Sequence, residues 1–459
     1  MALLDAGALA LSVAVPWLAG ALCISAAARR NAQPLAIAIG YGYLAGMFGG
    51  TLVMRVLSLA GIRWGVVWVA APVALAAVAA CVRMRSPGIA RGTMPWLASL
   101  ATLTGAARAI FVVLLALTAL RVAMLLAEVV LLPLVPFDPS APWGSKSRVW
   151  YEYGRMVPFV SAAEWWTAAG TMRFTDTHPE YPGTVPLFQV WTALWLGRWD
   201  ESLINVPWVA ACVSLGIVCY AQLRRLEFDP VKAMFGAYVL LSLPYLTIQV
   251  ALAGYADLFV AIAYGLAAIA AWQWTITRQR SDAGLAVLMA IVCASLKVEG
   301  SFWALTLVPG VVTALKRRAG LAMIGAAAVA AALSLAFGPA ELRLFGYTLR
   351  ARFVDVSTPV YEHLFVMDYW HLLWYAAVAV IAVHARALFG DRLAPMSVTM
   401  LAALAFVGAV FFFGTAAGAV EDETVTHRLL LHTVPALVFY LALILRSRQP
   451  LANGEPLHA

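Results

Sequence analysis

Charged residues are scarce in this sequence. They make up 12% of the 459 residues, whereas 63% of the residues are hydrophobic and the mean hydropathy is +0.86. A soluble domain has about 25% charged residues, so the composition excludes a soluble domain that makes up a large part of the chain. The apolar residues occur in blocks of roughly 20, which is the length of a helix that crosses a bilayer. The sequence therefore predicts an all-α membrane protein with several spans.

Cysteine motifs and paired acids are also lacking. The five cysteines lie in apolar blocks without a CxxC spacing, which favours small core residues over disulfides or metal ligands. No basic segment precedes the first apolar block, and this argues against a cleaved signal peptide. The predicted outer loops contain scattered acids but no Asp-x-Asp pair. We therefore expect no metal site and no cofactor.

The apolar blocks predict about thirteen transmembrane helices, which together form a polytopic all-α fold. Their approximate limits are 8–28, 35–60, 64–82, 108–133, 204–222, 233–252, 257–275, 283–297, 300–315, 319–338, 371–389, 396–414 and 429–446.

The charges indicate how these helices are oriented. Of the 31 Lys and Arg residues, 18 lie in short loops that alternate along the chain. The positive-inside rule assigns these loops to the cytoplasm, and it explains the net charge of +8 without a nucleic-acid partner. Seventeen of the 23 acidic residues lie on the opposite side of the predicted membrane. We therefore expect the chemistry on the outer face and the C-terminus in the cytoplasm.

The first outer loop, residues 134–203, begins with the motif FDPSAPWGSK. Asp138 follows the end of a predicted span, and Trp143 and Lys146 would share one face of a short helix. A simpler interpretation makes Asp138 a helix N-cap before Pro139. Trp143 could likewise be an interfacial aromatic residue that sets the depth of a helix. Both interpretations remain open at this point.

A second motif in the same loop is DTHPEYPGTVPL. Its three prolines prevent a membrane-spanning helix and stiffen the backbone. Such a segment would hold His178, Glu180 and Tyr181 in fixed positions at the membrane surface. In the alternative interpretation, His178 is an ordinary surface histidine and the prolines only guide the chain back into the membrane.

Together these motifs resemble the GT-C superfamily of polytopic glycosyltransferases. Protein O-mannosyltransferases and lipid A aminoarabinose transferases have an Asp-Glu pair after a span and a later His- or Lys-Pro-Pro-Leu turn. A bacterial branch is more similar, with Asp, then Trp at +5 and Lys at +8, then a His-Pro-x-Tyr-Pro turn. The corresponding positions here are Asp138, Trp143, Lys146 and the segment HPEYP at 178–182. Pro139 departs from the mannosyltransferase pattern, because it replaces the second acid.

The resemblance implies an organisation for the whole chain. Residues 108–446 would form the GT-C-like catalytic domain, which includes a partly helical periplasmic loop at 134–203. Residues 1–107 would be an additional N-terminal transmembrane block, and residues 447–459 a cytoplasmic tail. The expected location is the bacterial inner membrane, with the active site facing the periplasm.

Further charged residues lie at the ends of the later spans. Asp257 is interpreted as a helix cap or as an active-site acid. Lys297 and Glu299 form either a local surface pair or part of a site, and the bacterial branch has a similar Lys-x-Glu-Gly. His427 and Arg428 begin the last span, where a helix N-terminus and a guanidinium both favour an anion.

The resemblance implies a sugar donor linked to a polyprenyl monophosphate. The predicted cations for the donor phosphate are Lys146, Lys297, His427 and Arg428. Asp138 would be the general base, and a single base implies inversion at the anomeric carbon. The remaining predicted substrate-binding residues are Trp143, His178, Glu180, Tyr181, Asp257 and Glu299.

The expected activity is thus hexosyl or pentosyl transfer by a monomer in the lipid membrane. The acceptor could be a glycan, a lipid or a protein, and the sequence does not decide among them. The competing class is a transporter or flippase for lipid-linked saccharides. That class predicts charged residues in a series across the membrane, and only Arg55, Arg121 and Glu128 are suitably placed within spans.

Overall fold

A computed structural model describes residues 3–28, 35–84, 102–134, 136–167, 171–337, 341–344, 347–350, 353–414, 417–422 and 424–447. The predicted C-terminal tail beyond Ser447 therefore lies outside the described residues. Most of the described chain is α-helical. The helices are α1 (Leu3–Ala27), α2 (Leu35–Leu59), α3 (Val66–Met84), α4 (Gly105–Leu131), α5 (Ser145–Tyr153), α6 (Ala162–Thr167), α7 (Thr184–Leu196), α8 (Val206–Arg225), α9 (Pro230–Ser242), α10 (Pro244–Ala251), α11 (Asp257–Thr277), α12 (Arg280–Leu296), α13 (Val298–Leu315), α14 (Arg317–Phe337), α15 (Ser357–Tyr361), α16 (Leu373–Val383), α17 (Ala394–Phe413), α18 (Ala417–Glu421) and α19 (Thr426–Arg446).

The remaining regular elements are short. Strand β1 (Phe159–Val160) pairs in parallel with β2 (Phe174–Thr175), and β3 (Glu341–Leu344) pairs antiparallel with β4 (Tyr347–Arg350). Two π-helical turns cover Pro139–Gly144 and Glu362–Val366, and two 3-10 turns cover Leu203–Asn205 and Ala385–Ala387.

Within the described ranges, nine helical segments are long and apolar enough to cross a membrane, and the bent pair α9–α10 would make ten. The prediction of an all-α membrane protein with several spans is confirmed. The number thirteen stays a prediction. The predicted spans 283–297 and 371–389 coincide with α12 and α16, which have 17 and 11 residues and are shorter than the roughly 20 that a bilayer requires.

The bend between α9 and α10 has a local cause. The two helices meet at an angle of 60°, directly before Pro244, which has no backbone N–H and clashes with a continuous helix. Beyond the break, the backbone N–H of Tyr245 donates a hydrogen bond of 2.9 Å to the carbonyl of Tyr369. The bend therefore places the Tyr245 ring against the loop that precedes α16.

Most residues of α2 are buried against neighbouring helices. On one side it approaches α1 closely, because a Cβ added at Gly46 would overlap the backbone of Pro16. On the other side, the Tyr41 hydroxyl donates to the carbonyl of Leu266 at 3.0 Å, and Tyr43 to that of Pro207 at 3.2 Å. Close packing of small residues thus joins α2 to α1, and hydrogen bonds join α2 to α8 and α11.

The two ends of the helix bundle have different ion pairs. At the end where α11 finishes, Arg225 binds Asp282 through two hydrogen bonds of 2.9 and 2.8 Å. Arg446 pairs with Glu227 at 2.8 Å at the same end. These residues all belong to the loops that the charge pattern assigns to the cytoplasm. The opposite end, where α11 begins, contains the candidate site.

Candidate functional site

Asp257, the first residue of α11, is completely buried. Its carboxylate accepts a hydrogen bond from Lys297 Nζ at 3.0 Å, and others from Arg428 Nε and Nη2 at 3.0 and 2.9 Å. His432 Nε2 lies 3.0 Å from the same carboxylate. Burying an unpaired carboxylate is very costly, so these partners are what allow Asp257 to occupy this position.

The contacts of Asp257 extend into a chain of alternating charges. Arg428 Nη1 donates to Asp138 Oδ2 at 2.6 Å, and Lys297 Nζ lies 3.3 Å from Glu299 Oε1. We call Asp138, Arg428, Asp257, Lys297 and Glu299 the ion chain. It contains three acids and two bases, so it has one more carboxylate than it has permanent cations.

The fold brings the ion chain together from four distant segments. Asp257 begins α11, and Lys297 is the single residue between α12 and α13. Arg428 lies in the first turn of α19, and His432 follows it by four residues on the same helical face. All of these segments meet at one end of the bundle. A buried group of ionisable residues at a membrane boundary is typical of a functional site.

Asp138 is the outermost member of the ion chain. It directly precedes the π-helical turn Pro139–Gly144, and its side chain makes no capping hydrogen bond. Oδ2 is held by Arg428, whereas Oδ1 accepts no hydrogen bond from the described residues. The side chain is 36% exposed, compared with 0% for Asp257. Asp138 therefore presents an oriented carboxylate to the surface.

An aromatic stack lies beside the ion chain. The rings of Trp143 and Tyr181 are stacked at 4.9 Å, and the rings of Tyr181 and His178 at 4.5 Å. Trp143 is completely buried, and burial raises the pKa of Tyr181 to about 12. His178 is about half exposed, and its Nδ1 lies 3.1 Å from Glu180 Oε1. The stack thus runs from the interior to an accessible imidazole.

Lys146 lies beneath the HPEYP segment. Its ammonium donates to the carbonyl of His178 at 2.6 Å and forms an ion pair of 3.2 Å with Asp176. Both side chains are nearly inaccessible. Burial lowers the pKa of Lys146 and raises that of Asp176, and the pairing opposes both shifts. These contacts favour a positioning role for Lys146, while phosphate binding by it stays a prediction.

His427 belongs to a separate aromatic group. Its ring lies 4.4 Å from that of Tyr245, 5.1 Å from that of Tyr369 and 5.3 Å from that of His363. Its Nδ1 is buried without a hydrogen-bond partner in the described parts of the chain. His427 is adjacent to Arg428 in sequence but outside the ion chain.

The predicted residues thus fall into connected groups, although their chemical roles stay predictions. Asp138 occupies the N-cap position before Pro139, as the simpler interpretation predicts, but its side chain makes no capping hydrogen bond and binds Arg428 instead. The capping interpretation is wrong for Asp257, because Ala256 holds the N-cap position of α11 and Arg428 binds the Asp257 carboxylate. The Tyr255 ring also adjoins the ion chain, since its centroid lies 4.8 Å from the guanidinium carbon of Arg428. The sequence patterns do not indicate six residues of the site: Asp176, Tyr245, Tyr255, His363, Tyr369 and His432. For His432, the spacing of four from Arg428 was a usable signal.

Comparisons of the chain with protein-family models, curated proteins and solved structures find no match. Within the described residues, no group of three His, Cys, Asp or Glu side chains is placed to hold a metal ion. The site's own groups can supply an accessible carboxylate, buried cations and an aromatic face.

Proposed function

We propose that this protein is an integral-membrane glycosyltransferase that uses a polyprenyl-monophosphate sugar donor. The supporting observation is that Asp138, with one carboxylate oxygen open, is connected through Arg428 to a buried ion chain beside an aromatic stack. This arrangement supplies a carboxylate, cations and a ring surface at one end of the membrane helices. A donor with one phosphate at headgroup depth and a projecting sugar requires these same groups.

In the proposed reaction Asp138 acts as the general base. It removes the proton from an acceptor hydroxyl as the oxygen attacks the anomeric carbon. The bond between that carbon and the phosphate oxygen breaks, and polyprenyl phosphate leaves with the electron pair. The result is one new glycosidic bond with inverted configuration.

Arg428 and Lys297 are the proposed partners of the donor phosphate. At rest, Arg428 is shared between Asp138 and Asp257, and Lys297 between Asp257 and Glu299. An arriving phosphate would compete with Asp138 for Arg428. This competition would free Asp138 Oδ2 from Arg428 when the donor is bound, and the carboxylate could then face the acceptor hydroxyl.

The aromatic stack is the proposed surface for the sugar. Tyr181 stacks on Trp143, and His178 stacks on Tyr181. The prolines of HPEYP fix the backbone of both residues before the donor binds. Pre-organisation of this kind reduces the entropy cost of binding. Glu180 would either pair with the His178 imidazole, as it does at rest, or contact the acceptor.

The experiment that tests this proposal separates transfer from transport. The purified protein is reconstituted into liposomes containing synthetic polyprenyl-phosphate sugars, with outer-membrane and envelope extracts as acceptors. The proposal predicts release of free polyprenyl phosphate. A flippase would move the intact lipid without breaking the bond, and this result would reject the proposal.

The charged residues that the transporter class would use are Arg55, Arg121 and Glu128. Arg55 donates a hydrogen bond of 3.1 Å to Thr184, and Arg121 donates one of 3.3 Å to Thr247. Glu128 is exposed on α4.

A further inference from the structure

A cavity lies between α1, α2, α3 and α12, away from the ion chain. Its volume is about 510 Å³. One water molecule in the liquid occupies only ~30 Å³, so the cavity could hold a much larger group. The lining is almost entirely small and apolar, and it includes Gly49, Val53, Val73 and Gly284. The helices α1, α2 and α3 are candidate membrane spans, so the cavity adjoins lipid.

One end of this cavity is polar. Arg280 and Ser281, the first two residues of α12, are part of the lining. The Ser281 hydroxyl is buried and has no hydrogen-bond partner among the described residues. Arg280 is exposed and forms no ion pair with a described residue, since the nearby Asp282 is already bound by Arg225 through two hydrogen bonds.

We propose that the cavity is a binding site for an anionic glycerophospholipid. One acyl chain would fill the apolar part, where the alternative is an empty cavity in a close-packed protein. The lipid phosphate would meet the Arg280 guanidinium, which suits a phosphate in geometry and charge. The Ser281 hydroxyl would donate to a headgroup oxygen.

The proposed lipid is distinct from the sugar donor. Asp257 begins α11, and Arg280 follows its last residue, Thr277, by three positions. A helix of 21 residues is about 30 Å long. A headgroup at Arg280 therefore lies a membrane thickness from the ion chain. The proposal of a lipid site at Arg280 therefore does not depend on the proposed transferase activity.

Two glycines allow the cavity to be filled without disturbing the packing. A Cβ added at Gly284 or Gly49 would meet no atom within 4 Å, whereas one at Gly20 or Gly46 would overlap backbone. Gly284→Leu therefore fills the space that the acyl chain would occupy. Gly408→Leu is the matched control, because a Cβ at Gly408 also meets no atom within 4 Å and this residue lies in α17.

The experiment uses the full chain in phosphatidylcholine nanodiscs that contain phosphatidylglycerol with a photoreactive group on one acyl chain. We expect labelling of peptides around Gly49, Val53 and Val73. Gly284→Leu should remove this label, and Gly408→Leu should retain it. Arg280→Gln should reduce labelling about fivefold, which corresponds to ~1 kcal/mol per basic residue near an anionic lipid.

Three results would overturn the proposal. A phosphatidylcholine probe that labels these peptides as well as phosphatidylglycerol would show that the headgroup charge is irrelevant. Displacement of the probe by polyprenyl phosphate would identify the cavity as a groove for the donor's tail. Equal labelling of the wild type and Gly284→Leu would place the lipid outside the cavity.

Discussion

At the scale of single residues, Asp257 has the most constrained environment in the site. Its buried carboxylate is the partner of both Lys297 and Arg428, so it determines where both cations lie. Asp257→Asn keeps the shape of the side chain but leaves two buried cations short of a counter-charge. We expect a loss of about 3–5 kcal/mol in the free energy of unfolding, the usual cost of breaking a buried pair. Unfolding of the detergent-purified variant measures this loss.

Asp391→Asn is the control for the Asp257 variant. Asp391 also pairs with an arginine, Arg317, at 3.1 Å, but its side chain is 76% exposed. Surface pairs contribute less than about 1 kcal/mol. If the two substitutions lower the free energy of unfolding equally, the ion chain stabilises the fold no more than a surface ion pair does.

The sequence indicates the charged residues of the site but not the side chains that they contact. Charged residues next to apolar blocks, such as Asp138, Lys297 and Arg428, are conspicuous because the membrane environment makes them costly. That Arg428 would join Asp138 to Asp257 was not predictable, since the contacts link positions 290 and 171 residues apart. Local rules therefore favoured helix caps at both acids.

At the scale of elements, the backbone of the HPEYP segment has a structural role, whereas its His178 side chain has a proposed binding role. Its backbone is held from below, since the Lys146 ammonium donates to the carbonyl of His178. The His178 imidazole itself is about half exposed. The two substitutions His178→Ala and Lys146→Met should therefore have different effects.

For His178→Ala we expect an unchanged melting temperature and weaker donor binding or turnover. The expected loss in the free energy of donor or transition-state binding is about 1.5–3 kcal/mol, the range for a hydrogen bond to a charged group. The measurements are thermal unfolding and transfer kinetics on the same purified sample. A lower melting temperature with normal kinetics would remove His178 from the site.

For Lys146→Met we expect a lower melting temperature. The substitution leaves the Asp176 carboxylate and the His178 carbonyl buried without their partner, and an unsatisfied buried group costs about 1–3 kcal/mol, or more if charged. Thermal unfolding tests this directly. A variant as stable as the wild type, with only donor affinity reduced, would instead favour phosphate binding by Lys146.

Hydropathy was a good guide to where helices occur and a poorer guide to which helices span the membrane. Each predicted span coincides with a helix or a bent pair of helices in the described structure. The bend before Pro244 comes from a proline, which a hydropathy average does not register. The segment beyond the bend is then held by tertiary contacts, such as the hydrogen bond from Tyr245 to Tyr369. Apolar composition alone does not encode these contacts.

At the scale of the whole molecule, the proposed chemistry should not depend on divalent metal ions. The acids of the ion chain are already paired with Arg428 and Lys297, so a metal ion would have to displace these cations. We expect transfer activity to persist in EDTA. Activity that is lost in EDTA and restored by Mg²⁺ or Mn²⁺ would indicate a diphosphate donor instead.

In the proposed function, Asp138 promotes sugar transfer at the end of the bundle where α11 begins. The most direct test is mass spectrometry of the envelope glycans, lipids and proteins of cells that lack the gene. We predict that one hexose or pentose modification disappears and that wild-type protein restores it. Asp138→Asn, present at the same level in the membrane, should not restore it, because losing a general base lowers turnover about 10²-fold or more. An unchanged envelope, or full restoration by Asp138→Asn, would contradict the account.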